Sequence, residues 1–223
     1  MAPQSYPQPE GDPDLGSESA RDLKQLSDHI EKQFGAGMVL HEIRSDYVHI
    51  DLHVIPASAE RPYHLVVTTG MSDRPMQAPE EFSDYKYAEL YLALSPDWPL
   101  NQEAFKNEEI WWPFRHLKQT ARFPHVHNTW IWFTHTIGNE EPLRPFTERV
   151  HFAGGILYRP QLISIDSCNV KIRDGKNVVF FPFVPLYESE LRFAWDHGSD
   201  QLALRLKANN VTELVDPNRT RVI

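Results

Sequence analysis

Apolar positions recur along this chain with two periods, and each switch between them marks an element. Leu23, Leu26, Ile30 and Phe34 fall at helical spacing. They predict a helix that Ser17 or Ser19 caps and that Gly35 and Gly37 end. "MVLHEI" and "YVHIDLHVIP" read as strands. In the second, Val48, Ile50, Leu52 and Val54 alternate with His49, Asp51 and His53, which predicts one buried and one polar face. "YHLVVTTG" is a continuous apolar run suited to a central strand covered on both sides, and "YAELYLALS" follows as another strand. Pro96, Asp97 and Pro99 then break the chain ahead of a helical stretch from about Gln102 to Phe123. "NTWIWFTHTIG", "AGGILY", "LISIDSCNVKI" and "NVVFFPFVPLY" supply four more strands. Two short helices close the chain, "ESELRFAWDHG" and "SDQLALRLKAN", the latter capped by Ser199. The expectation is one α+β domain over residues 19–223, a large mixed sheet flanked by helices.

Composition adds a tail to this picture. Residues 1–18 are rich in Pro, Gln, Gly and Asp, lack the apolar content to fold, and are expected to be disordered. Their start carries neither a basic nor an apolar region, so no signal peptide is expected, and no apolar run approaches membrane-span length. The single cysteine, Cys168, has no internal partner, which fits a cytoplasmic setting.

Charge is unevenly spread under a formal net of -9. Residues 73–109 hold nine acids against Arg74, Lys86 and Lys106, whereas 110–181 hold nine bases against five acids. An acidic chain of this kind lacks the basic footprint of a nucleic-acid surface. It instead suits attraction of a basic partner, or simple solvation. The acidic stretch lies on loops next to the tryptophan-bearing helix. The partner face is therefore expected to use Glu80, Glu81, Asp84, Glu108 and Glu109, with one of Trp111 and Trp112 as an apolar anchor. Both tryptophans are named because adjacent positions are not expected to face one core.

Three features of the chain carry candidate chemistry. Gly70-x-Ser72 resembles the front of a nucleophile elbow, but Arg74 replaces the second glycine and Pro79 would interrupt the helix the motif needs. Ser72 and Asp73 are read instead as turn residues whose short side chains bond nearby backbone N–H groups. The histidines, notably His49, His53, His116, His125 and His127, could be assembled into a zinc site, yet no ligand spacing is recognisable. No phosphate-binding glycine loop occurs, and Gly154-Gly155 is read as a bulge or a close backbone approach. No catalytic residue, metal or cofactor is therefore expected. A hydrolase or metal enzyme using Ser72 or the histidines stands as the alternative.

"VVTTGMSDRPM", "AELYLALSPDWPL", "WWPFRHLKQTARFPH", "FAGGILYRP" and "ELVDPNRT", in that order, resemble the suppressor of fused domain family, its bacterial stand-alone members best. The similarity runs from about Tyr47 to the C-terminus. It implies a non-enzymatic α/β domain that binds other proteins. Animal members hold a transcription factor as an added strand between two domains. This chain stops where their second domain would begin, and the stretch from Ile131 to Thr136 lacks the acidic residue expected there. For bacterial members the resemblance implies an immunity protein, with a basic toxin domain as its partner. A regulatory scaffold without a toxin is the other reading.

Overall fold

The computed structural model describes residues 17–43 and 48–223, so most of the expected tail lies outside the described residues, as does Tyr47. Eight strands form one sheet: β1 (Met38–Leu40), β2 (Asp51–Ile55), β3 (His64–Thr69), β4 (Tyr87–Leu94), β5 (Thr136–Gly138), β6 (Phe152–Leu157), β7 (Asn169–Lys171) and β8 (Asn177–Tyr187). Their order is β1-β2-β3-β4-β8-β6-β5, with β7 also paired to β8. β1 to β4 form an antiparallel meander, and β4 pairs in parallel with the first half of β8. The second half of β8 pairs with β6, and β5 closes that side. The eleven apolar-rich residues "NVVFFPFVPLY" make β8 long enough to join both halves of the sheet.

Alternation along the strands sorts two cores. Leu65, Val67, Tyr91 and Phe180 face helix α1 (Ser17–Phe34), which buries Leu26, Ile30 and Phe34 against them. Val66, Leu90, Leu92 and Phe181 lie on the opposite side, under Leu117 and Ala121 of helix α2 (Glu108–Val126). Helices α3 (Glu188–His197) and α4 (Ser199–Ala208) cover Ile156, Val184 and Leu186 with Leu191, Ala194, Leu202 and Leu206. Asn107 caps α2 by accepting from the Glu109 N–H. Gly35, at φ 97, ends α1 as expected.

Several expected elements are shorter or different. "NTWIWFTHTIG" is a strand only at Thr136–Gly138. Before it, the Thr129 N–H bonds Pro124 O and the His135 N–H bonds Trp132 O, so the backbone turns instead of joining a ladder. Trp130 and Trp132 nevertheless share one side, where both pack on Phe82. "LISIDSCNVKI" is mostly a 3-10 turn over Ile165–Cys168 because Ser164 accepts from the Asp166 N–H, leaving only β7 extended. The polar face of β2 is not open either, since Asp51 is buried and accepts from His41, His49 and the Glu42 N–H. Gly198, at φ 96, precedes α4, and Ser199 is its first residue and not its cap. Gly154-Gly155 does mark both a bulge and a close approach: a Cβ on Gly154 would stand 2.3 Å from Ile137 O.

The exit of β3 is the most tightly built turn. Gly70 adopts φ 103, and a Cβ there would lie 1.9 Å from His49 O. Met71–Asp73 follow as a 3-10 turn and not as the helix of an elbow. Its donors converge on Glu89 of β4, which has no exposed surface. Glu89 Oε1 accepts from the Gly70 N–H at 3.0 Å, the Ser72 N–H at 3.0 Å and Ser72 Oγ at 2.7 Å. Thr68 Oγ1 donates to Oε2 at 2.7 Å and accepts from the Leu90 N–H. Ser72 thus bonds a carboxylate, correcting the expectation that it bonds backbone N–H groups. Burial pushes the Glu89 carboxyl up to about 7, against the pull of its donors.

Two predictions follow from this turn. Gly70→Ala should destabilise the protein by about 3 kcal/mol or more, because left-handed backbone and a carbonyl clash coincide. Gly175→Ala, at φ 72 with nothing within 4 Å of its Cβ, should cost only the backbone term, about 1–2 kcal/mol. Urea unfolding of the two variants compares them directly, and equal losses would contradict the role given to the His49 carbonyl.

Glu89 makes stability depend on pH. Its folded pKa, about 7, exceeds the ordinary 4.5, so its contribution is complete below pH 4.5 and is lost as pH rises through 7. Glu89→Gln retains the three contacts to Oε1 and can donate to Thr68 Oγ1, yet does not titrate. Between pH 4 and 8 the wild type should therefore lose on the order of 3 kcal/mol relative to this variant. A stability difference that stays flat over that range would show that the four donors outweigh burial.

Candidate protein-interaction site

Ser72 is fully enclosed and its hydroxyl is committed to Glu89, so it is not presented to a substrate. The neighbouring histidine does not act on it. His125 Nε2 bonds Met71 O at 3.0 Å, holding the turn against the end of α2. The other histidines are likewise dispersed. His53 contacts Thr69, and burial holds it down at about 4. His64 bridges the Ala57 N–H and Pro96 O. His127 is exposed. Among the described residues no three His, Cys, Asp or Glu side chains are placed to hold a metal.

The acidic stretch does not fold into a single face. Glu80, Glu81 and Asp84 are exposed on a 3-10 turn, Glu80–Tyr85. That turn docks beside the C-terminal end of α2, with the Gln77 N–H bonded to Thr129 O and Phe82 4.8 Å from Trp130. Glu108 and Glu109 open α2 at its other end, about 25 Å away at 1.5 Å per residue. Those two already have local partners: Arg115 pairs with Glu108, and Thr147 Oγ1 donates to Glu109 at 2.6 Å. By contrast, no salt bridge to Glu80, Glu81 or Asp84 occurs among the described residues. Their turn rests on an aromatic stack in which Phe82 and Tyr85 lean on Trp130 and Trp132.

Both Trp111 and Trp112 serve one core, which corrects the expectation that adjacent positions could not. Trp112 is wholly enclosed against Phe146 and Phe152. Trp111 is half-buried and stacks on Phe114 at 5.0 Å with Phe105 beside it. The fit is possible because Phe105 and its short turn fold back over the first turn of α2, adding a wall on a second side.

A groove of about 360 Å³ runs along α2 where the helix faces β5 and β6. His116, Thr120 and Phe123 form one wall, and Ile137, Gly154 and Phe183 contribute to the other. β5 lies last in the strand order, so one of its edges has no strand partner among the described residues. Its flank is closed by Trp195 of α3, whose Nε1 donates to Thr136 Oγ1 at 3.2 Å. Glu89 is absent from the residues that the sequence points to, and His116 is among them only as a possible zinc ligand. A lone glutamate inside "YAELYLAL" was the available sign for the first. Nothing in the local pattern around His116 marks it.

Comparison with known proteins matches both the order of these elements and their packing. A SUFU homologue from Neisseria gonorrhoeae, solved by crystallography, superposes with a TM-score of 0.64 at 15% identity, covering 91% of this chain and 97% of that one. The structure of the Sufu-Fu complex gives 0.62 at 14% identity, over 90% and 91% of the two chains. Drosophila Suppressor of Fused gives 0.60 at 13% identity over 91% of this chain, which spans half of the Drosophila one. No curated protein matches. The family profile described as Suppressor of fused protein (SUFU) matches residues 46–220, and the chain belongs to that family.

Proposed function

We propose that this protein is a non-enzymatic binding module whose partner is another protein, and that it acts in the cytoplasm as an immunity protein against a basic toxin domain. The observation that carries this reading is the turn with Glu80, Glu81 and Asp84. Three carboxylates without a salt bridge among the described residues, on a turn backed by aromatic rings, offer negative charge to an incoming cationic surface. Supporting it, a family relative of nearly the same extent has been solved in complex with another protein, Fu. Half-exposed Tyr85 beside the acids provides an apolar contact of the kind that slows release. Glu108 and Glu109, with half-buried Trp111, lie at the far end of α2 and would meet only a partner that spans the helix.

A toxin gene adjacent to this one is the first check, and its product the first candidate for capture. Reversing Glu80, Glu81 and Asp84 to Lys should slow association by about tenfold or more at low ionic strength, and by less in high salt, where the Debye length falls. The fold should be unchanged, because these side chains are solvated. Reversing Glu108 and Glu109 should alter association less, yet cost about 1 kcal/mol of stability through the lost Arg115 and Thr147 contacts. Stopped-flow association at two salt concentrations separates these outcomes. Equal rates for wild type and the first variant at low salt would remove the acidic turn from the interface.

A further inference from the structure

A second cavity, of about 420 Å³, opens at the start of β5 and reaches the first residue of α4, Ser199. Phe123, Trp130, Ile131 and Ile137 give it apolar surface, and Thr129, Thr134, His135, Thr136 and Ser199 complete its lining. All of these except Ile131 are partly open to solvent. Thr136 Oγ1 already accepts from Trp195 Nε1. The hydroxyls of Thr129, Thr134 and Ser199 have no hydrogen-bond partner among the described residues. No Asp, Glu, Lys or Arg lines the cavity, and burial holds the His135 imidazole below its ordinary value, so the lining is uncharged at neutral pH. Thr134 stands at φ 68, a region that β-branched residues seldom enter, and its N–H is held by Leu157 O at 2.7 Å. Backbone in such regions clusters at ligand-binding sites.

We infer that this cavity binds an uncharged polyhydroxyl ring, a pyranose sugar, with its C–H face on Trp130 and its hydroxyls paired with Thr129, Thr134 and Ser199. Elementary chemistry separates this ligand from its competitors. A carboxylate, phosphate or ammonium would shed its water here without meeting a counter-charge. A wholly apolar molecule would cover the three hydroxyls and leave them dry. A pyranose matches both parts of the lining. Each Thr or Ser hydroxyl donates one hydrogen bond and accepts up to two, and sugar hydroxyls have the same dual character. The ring C–H groups carry partial positive charge, which the negative face of an indole attracts. The volume, about 420 Å³, lies in the range of small-ligand pockets and accommodates one such ring with a short substituent. Trp130 also packs on Phe82 of the acidic turn, so a bound sugar would lie beside that turn. The sugar site stands whether or not the turn meets a toxin.

Saturation-transfer NMR on the full chain tests this with the methyl glycosides of glucose, galactose, mannose and N-acetylglucosamine. Cyclohexanol, a ring with a single hydroxyl, and 1-methyluracil, a flat polar ring, are the controls. At least one glycoside should receive saturation and bind about threefold or more tightly than cyclohexanol, the ratio that one further hydrogen bond supplies. Thr134→Gly removes one hydroxyl while suiting φ 68, so the fold is retained, and binding of that glycoside should weaken about two- to tenfold. Ser199→Leu, which removes the hydroxyl contributed by α4, should weaken it in the same way. No saturation of any glycoside at about 50 mM, well above the millimolar range of weak ligands, overturns the inference. So does glycoside binding no tighter than that of cyclohexanol or 1-methyluracil, or glycoside binding that both variants leave unchanged.

Discussion

At three places where this chain leaves its sheet, backbone donors become enclosed, and a buried carboxylate collects them. Glu89 takes the donors of the turn after β3. Glu213 has no exposed surface and accepts the N–H groups of Gln161 and Leu162, beyond the end of β6, and the Tyr91 hydroxyl. Glu190, equally enclosed, accepts from the N–H groups of Tyr187 and Val222 while Arg219 pairs with it. A carboxylate accepts several bonds at once, so one side chain can close a turn that would otherwise leave several N–H groups dry. The cost is desolvation, which the donors offset only in part at Glu89. The same device joins distant parts of the chain, since Glu213 ties the C-terminal segment to β4 through the Ala93 ladder contact.

These turns fix what the sheet can present. β8 is shared by both halves of the sheet, and α2 crosses the face that those halves have in common. One consequence is separation: acids that share one acidic stretch of the sequence are placed near opposite ends of a helix. Another is the groove between α2 and the β5–β6 end of the sheet, where Gly154 allows β6 to approach Ile137 closely. An exposed acidic turn and a groove thus arise from one packing arrangement and remain chemically distinct, the first charged, the second lined largely by apolar surface.

Local chemistry also decides which charges are available. Asp22, Glu42 and Glu190 are consumed by Arg173 and Lys176, by Arg122, and by Arg219. Net charge counts these acids equally with Glu80 or Asp84, although their fields are largely cancelled within the fold. The part of the acidity that a partner senses is accordingly smaller and more localised than the formal charge.

Much of the fold was legible in the residues themselves. The period-two run "VHIDLHVI", the continuous run "LVVTT" and the helical spacing of Leu26, Ile30 and Phe34 are local signals, and the strands and helix they predict are present. The ordered motifs carried the family as well. Signals failed where an apolar run was needed for something other than a ladder: Trp130 and Trp132 cover an acidic turn, and Ser164 diverts its segment into a 3-10 turn. Tertiary structure alone decided that Trp111 and Trp112 share a core, that Glu80 and Glu108 stand far apart, and that Ser72 is bound to Glu89. It also decided that His116 lines a groove. Each of these is a contact between segments far apart in the sequence or a distance set by a whole helix, and neither spacing nor composition encodes such relations.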